Sequence, residues 1–177
     1  VVFSGFADKP VYNYIRTLSN VCCDKLFILD DFGYRGSYYW YEDGLTHPLD
    51  LVTSLLRDLG GGRRIVTLGS SKGGTCALFY GLMFDATDIY AGACQYYVGT
   101  YLNAEDKVPV FKGMMGNTAT KKDQEILDRM MPDMICKHRN SKSVVHLLYS
   151  DKEHTYPEHI KYLINDLEEN NIKHLDK

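Results

Sequence analysis

The sequence lacks the features that mark several large classes of protein. No apolar run approaches the roughly 20 residues that a membrane-spanning helix needs. The chain carries 20 Lys and Arg against 23 Asp and Glu, and its net charge of -3 gives no general attraction to nucleic acid or to an anionic membrane. It has no Cys-x-x-Cys or paired-histidine spacing, so we expect no metal site.

Cysteine is too sparse, and too irregular, for a disulfide-stapled protein. There are five cysteines, an odd number, and Cys22 and Cys23 are adjacent. This usage favours a reducing, cytoplasmic setting. The sequence also has neither a basic leader nor an initiator methionine, and it opens directly on an apolar run, so we expect it to be part of a longer protein. Its 177 residues, without internal repeats, predict a single domain over 1–177.

The most informative motif is G-x-S-x-G, formed by Gly69, Ser71 and Gly73. It lies between an apolar strand pattern at 65–68 and an apolar helix pattern at 76–84. A serine at such a strand-to-helix turn is pushed out of the sheet, and it faces the first free N–H groups of the helix. We therefore predict that Ser71 is a serine nucleophile.

The remaining patterns alternate between strands and helices. Further strands are predicted at 1–6, 25–30, 88–94, 143–149 and 172–175, and further helices at 10–18, 46–59, 120–131 and 157–170, the third of them ending near Pro132. This alternation predicts a three-layer α/β sandwich with a mostly parallel sheet, of the α/β-hydrolase type and truncated at its C-terminal end. The irregular stretch at about 96–142 is either a lid over the site or a plain helical excursion.

Several polar or loop residues follow predicted strands and should meet at one edge of the sheet. They are Phe6, Asp31, Ser71, Gln95 and Asp151. The carboxyl ends of parallel strands are where α/β proteins place their sites. This convergence supports an active site around Ser71.

The acid and the base are less well defined than the nucleophile. Asp151 follows a late strand, as the acid of a hydrolase triad does, and Glu153 is its substitute. His154 is close to Asp151 and is the candidate base within the chain. The alternative is a histidine that follows one more strand, beyond Lys177.

For the oxyanion hole, the turn after the first strand offers the N–H of Phe6 or Ala7. The strand-to-helix turn at Ser71, called the elbow below, offers the N–H of Lys72. Two other interpretations of Lys72 stay open. Its side chain could act as a base for Ser71. The run from Ser71 to Thr75 could instead be a phosphate loop, although no second lysine stands at the start of the helix.

Tyrosine is unusually common, with 14 copies. Because tyrosine offers both a flat ring and a hydroxyl, clustered tyrosines suit sugars, and we predict substrate contacts from Tyr34, Tyr38, Tyr96 and Tyr97. The alternative is ordinary core packing and loop anchoring.

Six segments together resemble a known family. They are FSGFADKP, KLFILDDFGYRGSYYW, GLTHP, IVTLGSSKGGTCALFYGLMF, AGACQYYVGTYL and LLYSDKEHTYPEHI, and they resemble capsular polysaccharide biosynthesis proteins of the XcbB/CpsF type. That type is related to α/β-hydrolase-like proteins such as the glycan-acetylating component of the accessory Sec system. The resemblance implies a bacterial, cytoplasmic protein of surface-polysaccharide synthesis, and it carries over the elbow at Ser71 and the acid at Asp151.

These observations predict a serine esterase or O-acyltransferase that acts on a surface or capsular glycan. No cofactor is expected, and the expected partners are a glycan or a small acylated substrate, and capsule-assembly proteins. The alternative is a non-catalytic hydrolase-fold module that binds polysaccharide or a capsule-assembly partner.

Overall fold

The computed structural model describes residues 1–177 and contains one six-stranded sheet in which every strand pair is parallel. The strands are β1 (Val2–Phe3), β2 (Phe27–Ile28), β3 (Val66–Ser70), β4 (Asp88–Gly92), β5 (Val144–Leu148) and β6 (His174–Asp176). The helices are α1 (His47–Gly60), α2 (Lys72–Met83), α3 (Val98–Leu102), α4 (Val108–Met115), α5 (Lys121–Lys137) and α6 (Lys161–Glu169), and a π-helical turn, Tyr156–Ile160, precedes α6.

The order of the strands locates the crevice of the sheet. Across the sheet the order is β2-β1-β3-β4-β5-β6, so the chain first runs outward from β1 to β2. It then returns past β1 to β3 and continues to the opposite edge. The direction of winding therefore reverses between β1 and β3. In parallel α/β sheets, ligands bind at such a reversal, outside the carboxyl ends of the strands.

Helix α2 is the central helix of the core and packs closely on the sheet. Its residues from Lys72 to Leu82 are all buried. Small residues make this close approach possible. A Cβ on Gly81 would lie 2.6 Å from the Ile89 side chain of β4, and a Cβ on Gly74 would overlap the carbonyl oxygen of Gly92. The helix that follows Ser71 is thus fixed against both β3 and β4.

The predicted α/β sandwich with a parallel sheet is confirmed, but two local predictions are wrong. Residues 10–18 are irregular up to Asn13 and then form a bend and turns instead of a helix, and Tyr14 has a φ of 63°. Helix α5 continues through Pro132 to Lys137. A proline inside a helix costs about 3 kcal/mol, and burial of Met134 and Ile135 in the extra turn offsets this cost. The helix predicted at 157–170 is present, and it begins as the π-helical turn before it continues as α6.

Residues 98–137, within the stretch interpreted as a lid or a helical excursion, form the three helices α3, α4 and α5. Helix α3 packs on α5, and a Cβ on Gly99 of α3 would overlap the carbonyl oxygen of Gln124 in α5. None of the helices is both long enough and apolar enough to cross a membrane.

Candidate active site

Ser71 lies at the turn between β3 and α2 in a conformation that side chains rarely adopt. Its φ is 53° and its ψ is -128°. Outside glycine such a backbone costs about 1–3 kcal/mol and persists only where the surroundings impose it. Here the N–H of Ser71 donates to the carbonyl oxygen of Gly92 over 2.8 Å, and its carbonyl oxygen accepts from the N–H of Thr75. The turn is held by β4 on one side and by the first turn of α2 on the other.

The glycines of the motif are required by space. A Cβ on Gly69 would overlap the carbonyl oxygen of Gly73, and a Cβ on Gly73 would lie 2.6 Å from the carbonyl oxygen of Phe3. Both contacts are with backbone, which cannot move aside as a side chain could. The G-x-S-x-G pattern therefore follows from the tight passage of the chain between β1, β3 and α2.

Gln95, after the end of β4, is the side chain whose amide reaches Ser71. Its Nε2 lies 3.5 Å from Oγ of Ser71 and donates to the carbonyl oxygen of Ala93 over 3.2 Å. Its Oε1 accepts hydrogen bonds of 3.2 Å from the hydroxyls of Tyr38 and Thr75. Because a carbonyl oxygen can only accept, the contact with Ala93 fixes the amide with its nitrogen on the side of the serine.

The side chain of Lys72 turns into the protein. It is fully buried, and its Nζ lies 2.5 Å from Oδ2 of Asp30, a residue that is also buried. An ammonium held in this way is neither a base in contact with Ser71 nor a cation open to a bound phosphate. The geometry thus favours neither of the two alternative interpretations of Lys72.

Two backbone N–H groups near Ser71 remain available for an oxyanion. The N–H of Lys72 is the first of α2 and precedes the intrahelical hydrogen bonds. The N–H of Phe6 makes no hydrogen bond to the protein, whereas the N–H of the preceding Gly5 donates to Oδ1 of Asn13 over 2.7 Å. A Cβ on Gly5 would stand 3.5 Å from the carbonyl oxygen of Ser70, so the loop after β1 lies against the elbow.

The structure does not bring the predicted acid and base to Ser71. Asp151, Glu153 and His154 are all exposed in the turn that follows β5. Nδ1 of His154 lies 3.3 Å from Oε2 of Glu158, and no hydrogen bond joins His154 to Asp151 or to Ser71.

The four predicted tyrosines divide into two pairs. Tyr38 is fully buried in the core, and Tyr96 is buried with its hydroxyl donating to Oδ2 of Asp166 over 2.7 Å. Burial raises the pKa of both phenols well above its usual value. Tyr34 is 54% exposed, and Tyr97 is half-buried. Only the second pair is open to a ligand.

Tyr97 lines an open cleft of about 610 Å³ between α3 and the π-helical turn. Its lining residues are Tyr97, Thr100, Tyr101, Ala104, Lys107, His154, Pro157, Glu158, His159 and Tyr162. The buried residue among them is His159, whose Nδ1 accepts from the N–H of Tyr97 over 3.3 Å. Burial lowers the pKa of His159, so the ring is neutral with its proton on Nε2, and that atom has no partner.

Sequence reasoning missed two of these residues as members of a site, Asp30 and His159. It did place Gln95 at the same sheet edge as Ser71, because Gln95 follows a strand. Asp30 ends a predicted buried strand, and nothing in the sequence indicates that it pairs with Lys72, which lies 42 residues away. His159 falls within the helix predicted at 157–170, and nothing in that pattern indicates a site.

The chain matches no protein-family model, and it matches no curated protein. Solved structures do match it. The capsule O-acetyltransferase of Neisseria meningitidis serogroup A is 22% identical, with a TM-score of 0.85 over 99% of this chain and 76% of that one. A histidine-to-alanine mutant of the same enzyme in complex with CoA is 24% identical, with a TM-score of 0.80 over the same shares. An acylaminoacyl peptidase from Pyrococcus horikoshii is 16% identical, with a TM-score of 0.65 over 99% of this chain and 31% of that one.

The chain has the α/β-hydrolase fold. In this fold the nucleophile stands on the sharp turn between a central strand and the following helix, and the oxyanion hole is built from the N–H after the nucleophile and one from an earlier strand-to-helix loop. Here Ser71 lies at the turn between β3 and α2, Lys72 follows it, and Phe6 lies in the loop after β1, which leads to β2 without an intervening helix. At these low identities the likeness describes the fold, and the chemistry must be argued from the residues.

Proposed function

We propose that this protein is a serine O-acyltransferase or esterase that acts on a capsular or other surface glycan, with Ser71 as its nucleophile. The observation that carries the proposal is the strained backbone of Ser71 at the switch point of the sheet, held by Gly92 and Thr75. Strain of this kind is retained where it serves a function. At this turn it aims a hydroxyl at the free N–H end of a buried helix.

The proposed reaction has two steps. Oγ of Ser71 attacks the carbonyl carbon of an acyl donor and loses its proton to a base, the bond from that carbon to the leaving group breaks, and the base returns the proton to the leaving group. In the second step, a glycan hydroxyl or water attacks the acyl-serine and gives up its proton to the base. Serine is then released as the leaving group and is reprotonated.

For the base we propose a histidine, with His154 as the candidate in this chain and Asp151 as the acid that orients it. His154 would have to leave Glu158 and turn toward the elbow, and its exposed position leaves room for that movement. His154→Ala and Asp151→Asn test this assignment, with Lys152→Gln as the matched control in the same turn. We expect a loss of more than about 100-fold in kcat for the first variant, because general base catalysis contributes this much.

For the oxyanion we propose the N–H groups of Lys72 and Phe6. The charge that develops on the carbonyl oxygen would be met by both donors and by the positive end of α2. A single donor of this kind contributes about 100- to 1,000-fold in kcat. Ala7 stays open as the alternative to Phe6, since both follow Gly5 in the same loop.

For the substrates we propose an acyl thioester as the donor and a glycan hydroxyl as the acceptor. The support for this choice is the CoA complex of the capsule O-acetyltransferase, together with the resemblance to capsular polysaccharide biosynthesis proteins. The cleft suits a sugar, since Tyr97, Tyr101 and Tyr162 line it with aromatic rings and phenol groups. Part of its wall comes from the 96–142 stretch, which we propose acts as a lid.

A fluorophosphonate probe tests the nucleophile. The probe should label the wild-type protein on Ser71, as its phosphorus forms a bond to Oγ and fluoride leaves. Ser71→Ala should abolish labelling. Ser70→Ala, one residue earlier and at the end of β3, should retain it. Labelling that survives in Ser71→Ala would exclude this nucleophile.

A second candidate function is a non-catalytic module that binds polysaccharide. The observation that favours it is that neither Asp151 nor His154 makes a hydrogen bond to Ser71, and that His154 faces Glu158 instead. Under this alternative the wild-type protein would bind capsular oligosaccharide, Tyr101→Ala would weaken the binding, and the fluorophosphonate would label nothing.

A further inference from the structure

The side chain of Lys72 ends in a buried ion pair directly behind the nucleophile turn. Neither Lys72 nor Asp30 exposes any of its side chain, and their charged atoms are 2.5 Å apart. The ammonium also lies over the ring of Tyr39, 4.8 Å from its centroid, and 5.6 Å from that of Phe6. Burying two charges costs more free energy than most ion pairs return, so stability alone does not account for this pair.

Asp30 ties the pair to the loop after β2. Its Oδ2 accepts from the N–H of Ser37 over 2.9 Å, and its Oδ1 accepts from the hydroxyl of Ser37 over 3.2 Å. A Cβ on Gly36 would lie 2.9 Å from Nζ of Lys72, so that residue must be small for the loop to approach. The carboxylate thus has three donors, two from Ser37 in the loop after β2 and one from the first residue of α2.

Tyr39 ties the same pair to the loop after β1. Its hydroxyl contacts the N–H and Oγ of Ser4 at 2.9 and 2.8 Å and donates to the carbonyl oxygen of Ile28 over 2.8 Å. Oγ of Ser4 in turn accepts from the N–H of Asp30 over 3.1 Å. Ser4 stands two residues before Phe6. The network therefore joins the loops after β1, β2 and β3.

We propose that the Lys72–Asp30 pair is a positioning device for the oxyanion hole. It clamps the first residue of α2 to the loop after β1, and this sets the distance between the N–H groups of Lys72 and Phe6. Lys72 thus acts twice, through its N–H on the oxyanion and through its side chain on the loop that carries the other donor. The inference rests on the proposed function, because it assigns no chemistry to the pair itself.

The pair acts through donors that are used in the transition state, so its loss should lower kcat and leave KM nearly unchanged. The assay uses the full chain with p-nitrophenyl acetate, and it also measures the rate at which the fluorophosphonate labels Ser71. Lys72→Met alone strands a buried carboxylate, so Lys72→Met/Asp30→Asn is the main variant. We expect a fall of about 100-fold in kcat and in labelling rate, with KM within about threefold.

A milder variant keeps the test meaningful if the double variant does not fold. Tyr39→Phe preserves the ring and the ion pair but removes the hydroxyl that holds Ser4. We expect a fall of about 10-fold in kcat, again with KM unchanged. Tyr80→Phe is the matched control, since it removes a buried hydroxyl that donates to the carbonyl oxygen of Tyr39 and touches neither Ser4 nor Asp30. Arg64→Met, which breaks a partly exposed ion pair with Asp88, is the control for lost charge.

The outcomes separate the two proposals. A wild-type protein without turnover or labelling overturns the proposed function and, with it, this inference. An active wild type whose folded double variant, or whose Tyr39→Phe variant, keeps its kcat within about twofold overturns only the positioning role. A rise in KM as large as the fall in kcat would also contradict the positioning role. The pair would then stabilise the bound substrate as well as the transition state.

Discussion

Nε2 of Gln95 stands 3.5 Å from Oγ of Ser71, and the other contacts of this amide set its orientation. Nε2 donates to the carbonyl oxygen of Ala93, and Oε1 accepts from the hydroxyl of Tyr38, so the nitrogen faces the serine. A tyrosine predicted to contact substrate thus acts inside the core, two contacts away from the nucleophile.

Gln95→Leu should lower kcat with p-nitrophenyl acetate by about 5- to 10-fold, because Ser71 loses the group that restricts its hydroxyl, and a hydrogen bond contributes about 1 kcal/mol. Gln124→Leu is the matched control, since Gln124 donates to the hydroxyl of Thr100 in a different part of the protein. Equal rates for wild type and Gln95→Leu would show that the amide does not restrict the serine.

Ser71→Gly should be more stable than Ser71→Ala by about 1 kcal/mol, although both are inactive. Glycine adopts a φ of 53° with a ψ of -128° without strain, whereas alanine keeps the strain of serine. Urea denaturation of the two variants measures the difference. If Ser71→Gly is the less stable of the two, the turn is not strained in the way described.

Gly73→Ala should destabilise the protein by about 2 kcal/mol or more, because the new Cβ would meet the backbone of β1 at 2.6 Å. Gly61→Ala is the control. A Cβ there meets only the carbonyl oxygen of Arg57, at 3.6 Å, and should change stability by less than about 0.5 kcal/mol. A tolerated Gly73→Ala would show that β1 and α2 are not in close contact.

The stability of the protein should fall as pH drops below 6.5, and His159 should contribute to the fall. Burial holds the pKa of His159 below its usual value of 6.5. Between pH 6.5 and the lower pKa of the folded protein, His159 therefore binds a proton in the unfolded chain but not in the folded protein. The free energy of unfolding falls as the pH drops through this range.

His159→Gln should remove this part of the loss. Denaturant unfolding at pH 8 and at pH 5.5 should show a smaller drop in free energy of unfolding for the variant than for the wild type. Part of the drop should remain, because burial also lowers the pKa of His138. An equal drop in both proteins would mean that His159 is not buried in its neutral form.

The sequence predicted the parallel sheet and the elbow because both depend on local patterns. Apolar runs separated by helix periodicity identify β3, β4 and β5, and two glycines around a serine identify a tight turn. The helix through Pro132 was missed because its continuation depends on burial against the rest of the core, which no local rule contains.

The candidate site could be predicted only where residues follow strands. Gln95 could be placed near Ser71 in this way. The Lys72–Asp30 pair could not be predicted, because it depends on how closely the segments after β2 and β3 approach each other in the core. The burial of Tyr38 and Tyr96 depends on tertiary packing, which the number of tyrosines does not determine.

The central claim, that Ser71 carries an acyl group during the reaction, is tested most directly by trapping that intermediate. The wild-type protein is incubated with acetyl-CoA without an acceptor, quenched in acid and digested, and the peptide that contains Ser71 is analysed by mass spectrometry. The account predicts one acetyl group on Ser71 in the wild type and none in Ser71→Ala. Turnover of the donor with the acetyl group on another residue, or an equal modification in Ser71→Ala, would contradict it.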